Sequence, residues 1–559
     1  MLGRVPNNGF DAATQRRDHM PGSRFARQFL RDENRNLIIF GVYIFVLIFM
    51  VAGIGIDLMR FERDRTRLQY TLDRAVLAAA DLDQTLNPDL VVQDYFAKSG
   101  MSDYLEGITV TEGLGYRTVS GTATAAVPTQ FMHMSGIDVL DAPASATAEE
   151  RIDAVEISLV LDVSGSMNSN NRLTNLKIAA DDFIDEMVAN TEDGKLSISI
   201  IPYATQVAVP AEVLDEMNVS NEHSYSHCVN FSSNDFNTAG ISQASSLQRT
   251  MHFDPWTSWG PDNHDGMASG ELVQKPICEH DPVRTSMVMQ KDAQVLKNYI
   301  QSLTARGNTS IDIGMKWGTA MLDPLFQPVV DALITDGTVD AGFDNRPEEY
   351  SDAETLKVIV LMTDGQNTSQ YYINSGYRTG LSNLWWNPGA GDTGRYSVYN
   401  PSSGSYYWPD DDNNDFPDHD TTNDSYGRWE DHPYGNGPGE EGTASRVSYA
   451  DLWAHIAMEQ HLEHFYQPWS GDPWGDWYYD VRNYVGSSTK NTRTNAICNA
   501  AKDEDIIVFT IGFEAPSSGE AVLQACASSP AHFFDVNGLE IAEAFSSIAS
   551  SIRKLRLTQ

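Results

Sequence analysis

An apolar run, Val155, Ile157, Leu159, Val160 and Leu161, ends in the short polar loop Asp162-Val163-Ser164-Gly165-Ser166. Residues 155–162 read as a buried parallel strand, and Leu173, Leu176, Ala180, Phe183, Ile184 and Met187 recur at helical spacing over 173–188. The loop therefore sits at the carboxyl end of a strand, where doubly wound sheets gather ligands. A second apolar strand, Val358 to Met362, ends in Thr363-Asp364-Gly365. Thr309 opens a third segment after Ala305-Arg306-Gly307. The pattern predicts a doubly wound, mostly parallel α/β sheet whose three loops bring Asp162, Ser164, Ser166, Thr309 and Asp364 to one rim. Short hydroxyl and carboxylate side chains suit a hard cation, since Mg²⁺ takes near-octahedral oxygen at about 2.1 Å.

A lone Asp-x-Ser-x-Ser is also what a polar helix cap uses for hydrogen bonds alone. The ordered addition of Asn308-Thr309 and Thr363-Asp364-Gly365-Gln366 separates the two readings. Together these residues resemble the metal-ion-dependent adhesion site of von Willebrand factor A (vWA) domains. The resemblance implies that Ser164, Ser166 and Thr309 touch the metal (Mg²⁺, or Ca²⁺ or Mn²⁺), that Asp162 and Asp364 act through water, and that one position stays open for a partner's carboxylate.

Leu37 to Ile56 carries no charge over twenty residues, enough to cross a hydrocarbon core of about 30 Å as a helix. A cleaved signal peptide is the competing reading, but no small-x-small site follows closely, Ala78-Ala79-Ala80 being too far downstream. Arg24, Arg27, Arg31 and Arg35 precede the span and Arg60, Arg63, Arg65 and Arg67 follow it, so positive charge does not orient it. All four cysteines lie after the span, which favours an oxidising compartment there. Four cysteines allow three pairings; the expected one is Cys228–Cys278 with Cys498–Cys526. Acidic residues outnumber basic ones 77 to 38 over 559 residues, which argues against a nucleic-acid partner.

The expected organisation is a cytoplasmic tail (1–36), a transmembrane helix (37–56), a helical stalk (57–82), a small β-rich module (83–150) and a vWA domain (151–559) with insertions at about 211–288 and 369–447. The stalk keeps helical spacing at Leu58, Phe61, Leu68, Leu72, Val76 and Ala79. A processed pilin would carry a Glu five residues after its cleavage Gly; after Gly41, Val46 stands there. The order of span, stalk, Pro128-Thr129-Gln130-Phe131-Met132, the strand into Asp162, Thr309 to Gly318, and the ending from Ile497-Cys498 to Cys526-Ala527 resembles the TadG-like proteins of Tad/Flp pilus assembly. That resemblance implies a single-pass protein of the bacterial inner membrane, N-terminus cytoplasmic and C-terminal domain periplasmic, with a protein partner from the pilus-assembly or envelope machinery.

The first insertion holds His223, His227-Cys228 and Cys278-Glu279-His280; a disulfide with bystander histidines is the simpler reading and a zinc site the lesser. The second, rich in Asp, Asn, Gly, Tyr and Trp, includes Asp410, Asp412, Asp415, Asp418 and Asp420. It reads as a solvated acidic loop or a Ca²⁺ loop, with Tyr406, Tyr407, Trp408 and Trp429 as a candidate partner surface. The core is expected to resume at Ser448, with His455, His461 and His464 facing solvent. The leading expectation is a membrane-anchored, metal-dependent binding and assembly protein, not an enzyme. A structural scaffold with Ca²⁺-stabilised acidic loops is the alternative. A metal-dependent hydrolase comes last, for the chain has no Gly-x-Ser-x-Gly elbow, Walker loop or His-Glu-x-x-His, and Asp312 is the nearest base in sequence.

Overall fold

The computed structural model describes residues 35–81, 86–113, 116–151, 154–257, 265–278, 281–352, 355–391, 394–409 and 427–555. The chain divides into two compact units, Met1–Thr111 with Arg117–Glu150, and Glu112–Tyr116 with Arg151–Gln559.

The first unit is built on α1 (Arg35–Ala80), one continuous helix over the residues expected to form span and stalk. Its Leu68, Leu72, Val76 and Ala79 are buried against Val91, Val92 and Phe96 of α2 (Pro88–Lys98) and against β2 (Tyr116–Pro128) and β3 (Val139–Arg151), which with β1 (Leu105–Gly113) make a three-stranded sheet. The module expected to be β-rich thus opens with a helix. Asn87 accepts the Asp89 N–H at 2.9 Å and Pro88 stands in the first turn, so both start signals are present.

In the second unit six strands run in the order β14-β13-β7-β4-β5-β6: β4 (Ala154–Asp162), β5 (Leu196–Tyr203), β6 (Met287–Gln290), β7 (Thr355–Thr363), β13 (Ile507–Phe513) and β14 (Phe533–Val536). All neighbours are parallel except the edge pair β5–β6. The order reverses at β4, whose neighbours are β5 and β7, and this is the topological switch point of a doubly wound sheet. Helices α3 (Arg172–Ala189), α4 (Ala293–Ser302) and α8 (Glu540–Leu555) bury apolar faces on one side. On the other lie α5 (Ile311–Ala320), α6 (Ser487–Asp503) and α7 (Ser517–Cys526). The disulfide Cys498–Cys526 joins α6 to α7, and Cys228–Cys278 closes the first insertion, in the expected pairing.

Helix α5 approaches the sheet closely because Gly314 and Gly318 face it. A Cβ on Gly314 would lie 2.8 Å from the Tyr203 ring, and one on Gly318 would overlap the Val160 side chain, while Ser158 Oγ donates to Gly318 O at 2.8 Å. Gly318→Val is expected to destabilise residues 151–559 by about 1–3 kcal/mol, the usual range for an overpacked core, as read by urea denaturation.

Away from its acidic stretch, which lies outside the described residues, the second insertion is folded. It forms a five-stranded antiparallel sheet, order β11-β10-β9-β8-β12, from β8 (Leu381–Asn387), β9 (Arg395–Asn400), β10 (Ser405–Trp408), β11 (Arg428–Glu430) and β12 (Ser445–Ser448). Its Leu384, Trp386, Val398 and Tyr407 share a core with Met251, Phe253 and Ile277 of the first insertion and with Leu452, Trp453, Ile456, Phe465 and Tyr466. Tyr407 and Trp408 are core residues here, and Trp429 alone of the four named aromatics is exposed. The segment after Ser448 therefore belongs to this second core, and a ribbon pairing Gln370–Ile373 with Arg482–Val485 closes it. The insertion ends near Val485 rather than at 447.

Candidate metal centre

Asp162 is the last residue of β4 and its carboxylate is fully buried. One oxygen accepts the Ser164 N–H at 2.7 Å and the other accepts the Thr363 hydroxyl at 2.6 Å from the end of β7. The hydroxyls of Ser164 and Ser166 lie 3.1 Å apart, and Ser166 Oγ donates to Asp364 Oδ1 at 2.8 Å. Four of the five named residues thus form one continuous polar chain across the switch point. Gly165 N–H donates to Gly307 O at 2.9 Å, tying the first loop to the one that carries Thr309. Thr309 in turn exchanges bonds with Thr368: its N–H donates to Thr368 Oγ1 (2.8 Å) and its carbonyl accepts the Thr368 N–H (3.0 Å). A Cβ on Gly365 would stand 3.9 Å from Thr309 Oγ1, so the hydroxyl lies beside the Asp364 loop.

The electrostatics are unbalanced. Burial, reinforced by the charge of Asp364, pushes the Asp162 carboxyl up to about 7 against the opposing bonds from Thr363 and Ser164. Among the described residues the ion pairs at this rim go from Arg172 to Asp364 and Glu514, and Asp162 has none. Burial also raises Asp364, although Ser166 and Arg172 hold it down in part. Every donor here is a hydroxyl or carboxylate oxygen, the set that suits Mg²⁺, Ca²⁺ or Mn²⁺ and not a soft metal. A buried carboxylate without a cation, amid such donors, fits a divalent ion. Among the described residues no three His, Cys, Asp or Glu side chains gather into a metal-binding group; at this rim two carboxylates are joined by hydroxyls.

Sequence reasoning missed Arg172 and Lys490. Arg172, the first residue of α3, places Nη1 2.8 Å from Asp364 Oδ2 and Nε 2.9 Å from Glu514 Oε2. Lys490, fully buried on α6, donates to Thr309 O (3.1 Å) and Ser310 Oγ (2.6 Å), and burial lowers it to about 8. Asn367 Oδ1 accepts the Ile311 N–H at 2.8 Å and fixes the start of α5. Asp312 is not a base on the rim: it is fully buried in the first turn of α5, with Arg493 at 3.8 Å. The hydrolase expectation loses its one candidate base.

The zinc expectation loses both thiolates to the Cys228–Cys278 disulfide. His223 is half-buried and lowered to about 4, chiefly by burial. Asp410, Asp412, Asp415, Asp418 and Asp420, like Glu279 and His280, lie outside the described residues. His461 does not face solvent: it is fully buried among Trp453, Phe465, Tyr466 and Trp477, with ring centroids 5.0 to 5.7 Å away. His455 and His464 are half-buried, with His455 Nδ1 2.7 Å from Glu271 O.

A helix with a charge-free stretch, Leu37–Ile56, precedes the switch-point sheet in the chain. Residues 36–82 are TadE/G-like. They match the family model for Flp pilus-assembly TadE/G-like proteins, and within them α1 has, from Leu37 to Ala80, a stretch long and apolar enough to cross a membrane. The second unit has the vWA fold, on the strand order and the Asp162 loop given above. None of the curated proteins matches it by sequence. Solved structures similar to it include the vWF domain of the type V pili tip protein Mfa5 from Porphyromonas gingivalis (16% identity, 73% of this chain and 97% of that one, TM-score 0.30). Others are the pilus adhesin SpaC from Lactobacillus rhamnosus GG (11%, 80% and 33%, 0.29) and the pilus adhesin RrgA from Streptococcus pneumoniae (12%, 80% and 50%, 0.29). The chain spans a third to a half of the length of these last two.

Proposed function

We propose that this TadE/G-like chain is a membrane-anchored, metal-dependent binding protein of a Tad/Flp-type pilus or surface-adhesion system. On this reading Leu37–Ile56 spans the bacterial inner membrane once, the N-terminus is cytoplasmic, and the vWA unit is periplasmic. The two disulfides, both after the span, support that side. The observation that carries the binding role is the buried Asp162 carboxylate, without a cation and linked through Ser164 and Ser166 to Asp364. Ser164, Ser166 and Thr309 would hold Mg²⁺ (or Ca²⁺ or Mn²⁺), with Asp162 and Asp364 behind them. When bound, the ion would offer an open position to a carboxylate of a partner from the pilus-assembly or envelope machinery. The role is read as binding rather than turnover, since Asp312, the base proposed for hydrolysis, is buried in the first turn of α5.

One observation favours a second reading, a metal-free structural scaffold: Arg172 already neutralises one oxygen of Asp364. Calorimetric titration of Mg²⁺ and Ca²⁺ into residues 151–559 separates the two. One Mg²⁺ site is expected in the wild type, and none in Ser164→Ala/Asp364→Ala. Equal binding by both proteins, or binding by neither, would sink the metal-dependent reading and leave the scaffold.

A further inference from the structure

The Pro128-Thr129-Gln130-Phe131-Met132 motif has no part in the metal centre. It opens the connection from β2 to β3, which contains a short 3₁₀ turn, Met132–Ser135. This connection packs on α1 at Phe49, Gly53 and Asp57, residues four apart and hence on one helix face. The Phe131 ring stands edge-on to Phe49 at 5.6 Å, and its Cγ lies 2.5 Å from where a Cβ on Gly53 would be, so only glycine leaves room for it. Asp57, 1% exposed, accepts the N–H groups of Gln130 (3.0 Å), Phe131 (2.7 Å) and Met132 (2.8 Å). Arg60 Nη1 donates to Pro128 O at 3.3 Å.

We propose that this loop is a second membrane contact, a wedge that enters the lipid boundary beside α1. The proposal rests on the reading of Leu37–Ile56 as the span. Phe49 and Gly53 lie about 10 and 4.5 Å before Ile56 along a helix of 1.5 Å rise. A loop clamped to them stays in water only if the bilayer ends at Ile48. That leaves Leu37–Ile48, about 18 Å of helix, for a core of about 30 Å. The loop is equipped for lipid. Met134 is 69% exposed, with Ile137 and Val139 exposed beside it. Seven of its backbone N–H groups are bonded internally, which lowers the cost of a non-aqueous setting: Thr129 N–H bonds Asp138 O, Met134 N–H bonds Phe131 O, Gly136 N–H bonds His133 O and Ile137 N–H bonds Met132 O, besides the three held by Asp57. Its two ionisable side chains, His133 and Asp138, pair with each other at 2.5 Å.

The test places a nitroxide on single introduced cysteines, Met134→Cys, Phe45→Cys and Glu192→Cys, in the full chain reconstituted into phosphatidylcholine/phosphatidylglycerol vesicles. The native cysteines are all in disulfides and take no label. Accessibility to oxygen relative to a water-soluble nickel chelate reads depth. The label at 134 is expected to show a ratio several-fold above that at 192 and towards that at 45. Adding Gly53→Leu, which fills the space of Phe131, should return the 134 label to the value at 192 and leave the 45 label in lipid. If the 134 label matches 192 while 45 sits in lipid, the wedge is overturned and the span stands. A water-exposed label at 45 removes the span and the wedge with it.

Discussion

Replacing Lys357 with methionine is expected to lower the stability of residues 151–559 by about 3 kcal/mol, because it strands a carboxylate inside the sheet. Glu156 on β4 is fully buried, and Lys357 stands directly opposite on β7 with Nζ 2.7 Å from Glu156 Oε2. Lys357 also donates to Leu322 O at 2.8 Å, while Arg346 Nη1 reaches Glu156 Oε1 only at 3.5 Å. Removing one member of such a pair costs far more than removing both, since the survivor is left charged and dry. Glu156→Leu/Lys357→Met should therefore recover most of what Lys357→Met loses, and a double-mutant cycle by urea denaturation measures the coupling. A loss under about 1 kcal/mol in the single variant would mean that Arg346 alone satisfies Glu156.

The same two strands carry the candidate metal centre at their other end, and the contrast between the ends is informative. Near the start of β4 a buried carboxylate meets a lysine from β7; at its end Asp162 meets only a backbone N–H and a hydroxyl. Folding neutralises one end of the switch-point pair from within; at the other end the proposed metal ion would do so. Arg172 moderates this through Asp364, with which it is ion-paired at 2.8 Å.

The strands that position this centre were legible because they are buried on both faces. Val358 to Met362 is a continuous apolar run and Val155 to Leu161 is apolar but for Glu156 and Ser158; in the parallel sheet they form β7 and β4. The Asp162, Asp364 and Thr309 loops were found by their place at element ends. Arg172 was not, because its partners Asp364 and Glu514 are 192 and 342 residues away and no local pattern joins them. The second insertion misled for a different reason. Its core mixes aliphatic residues such as Leu384 and Val398 with many aromatic rings, in pairs such as Trp386–Tyr396 at 4.5 Å and Trp408–Tyr434 at 4.9 Å, and the Asp, Asn and Gly between the strands hide the alternation. The helix at Pro88–Lys98 was overlooked although Asn87-Pro88-Asp89 announces it.

Acid should weaken the vWA unit through His461. One helical face extended from Tyr449 puts the residue on the surface, but Ile456 and Ala457 adopt extended backbone angles and split the segment into Tyr449–His455 and Met458–Phe465. The break resets the phase and turns His461 into the aromatic core. Burial lowers it from 6.5 to about 3, so the folded chain keeps it neutral while the unfolded chain takes up a proton below about 6.5. More protons bound in the unfolded state means that stability falls as pH drops from about 6.5 towards 3 and is unaffected above that window. At pH 4.5 the loss from this one residue is about 2–3 kcal/mol. His223, lowered to about 4, adds in the same direction, whereas the raised Asp162 acts oppositely, so the total curve mixes several groups. The comparison that isolates His461 is with His461→Leu: urea denaturation at pH 7 and pH 4.5 should show the wild type losing about 2–3 kcal/mol more than the variant. Parallel losses in the two proteins would mean that His461 reaches water, or a proton, within the folded state.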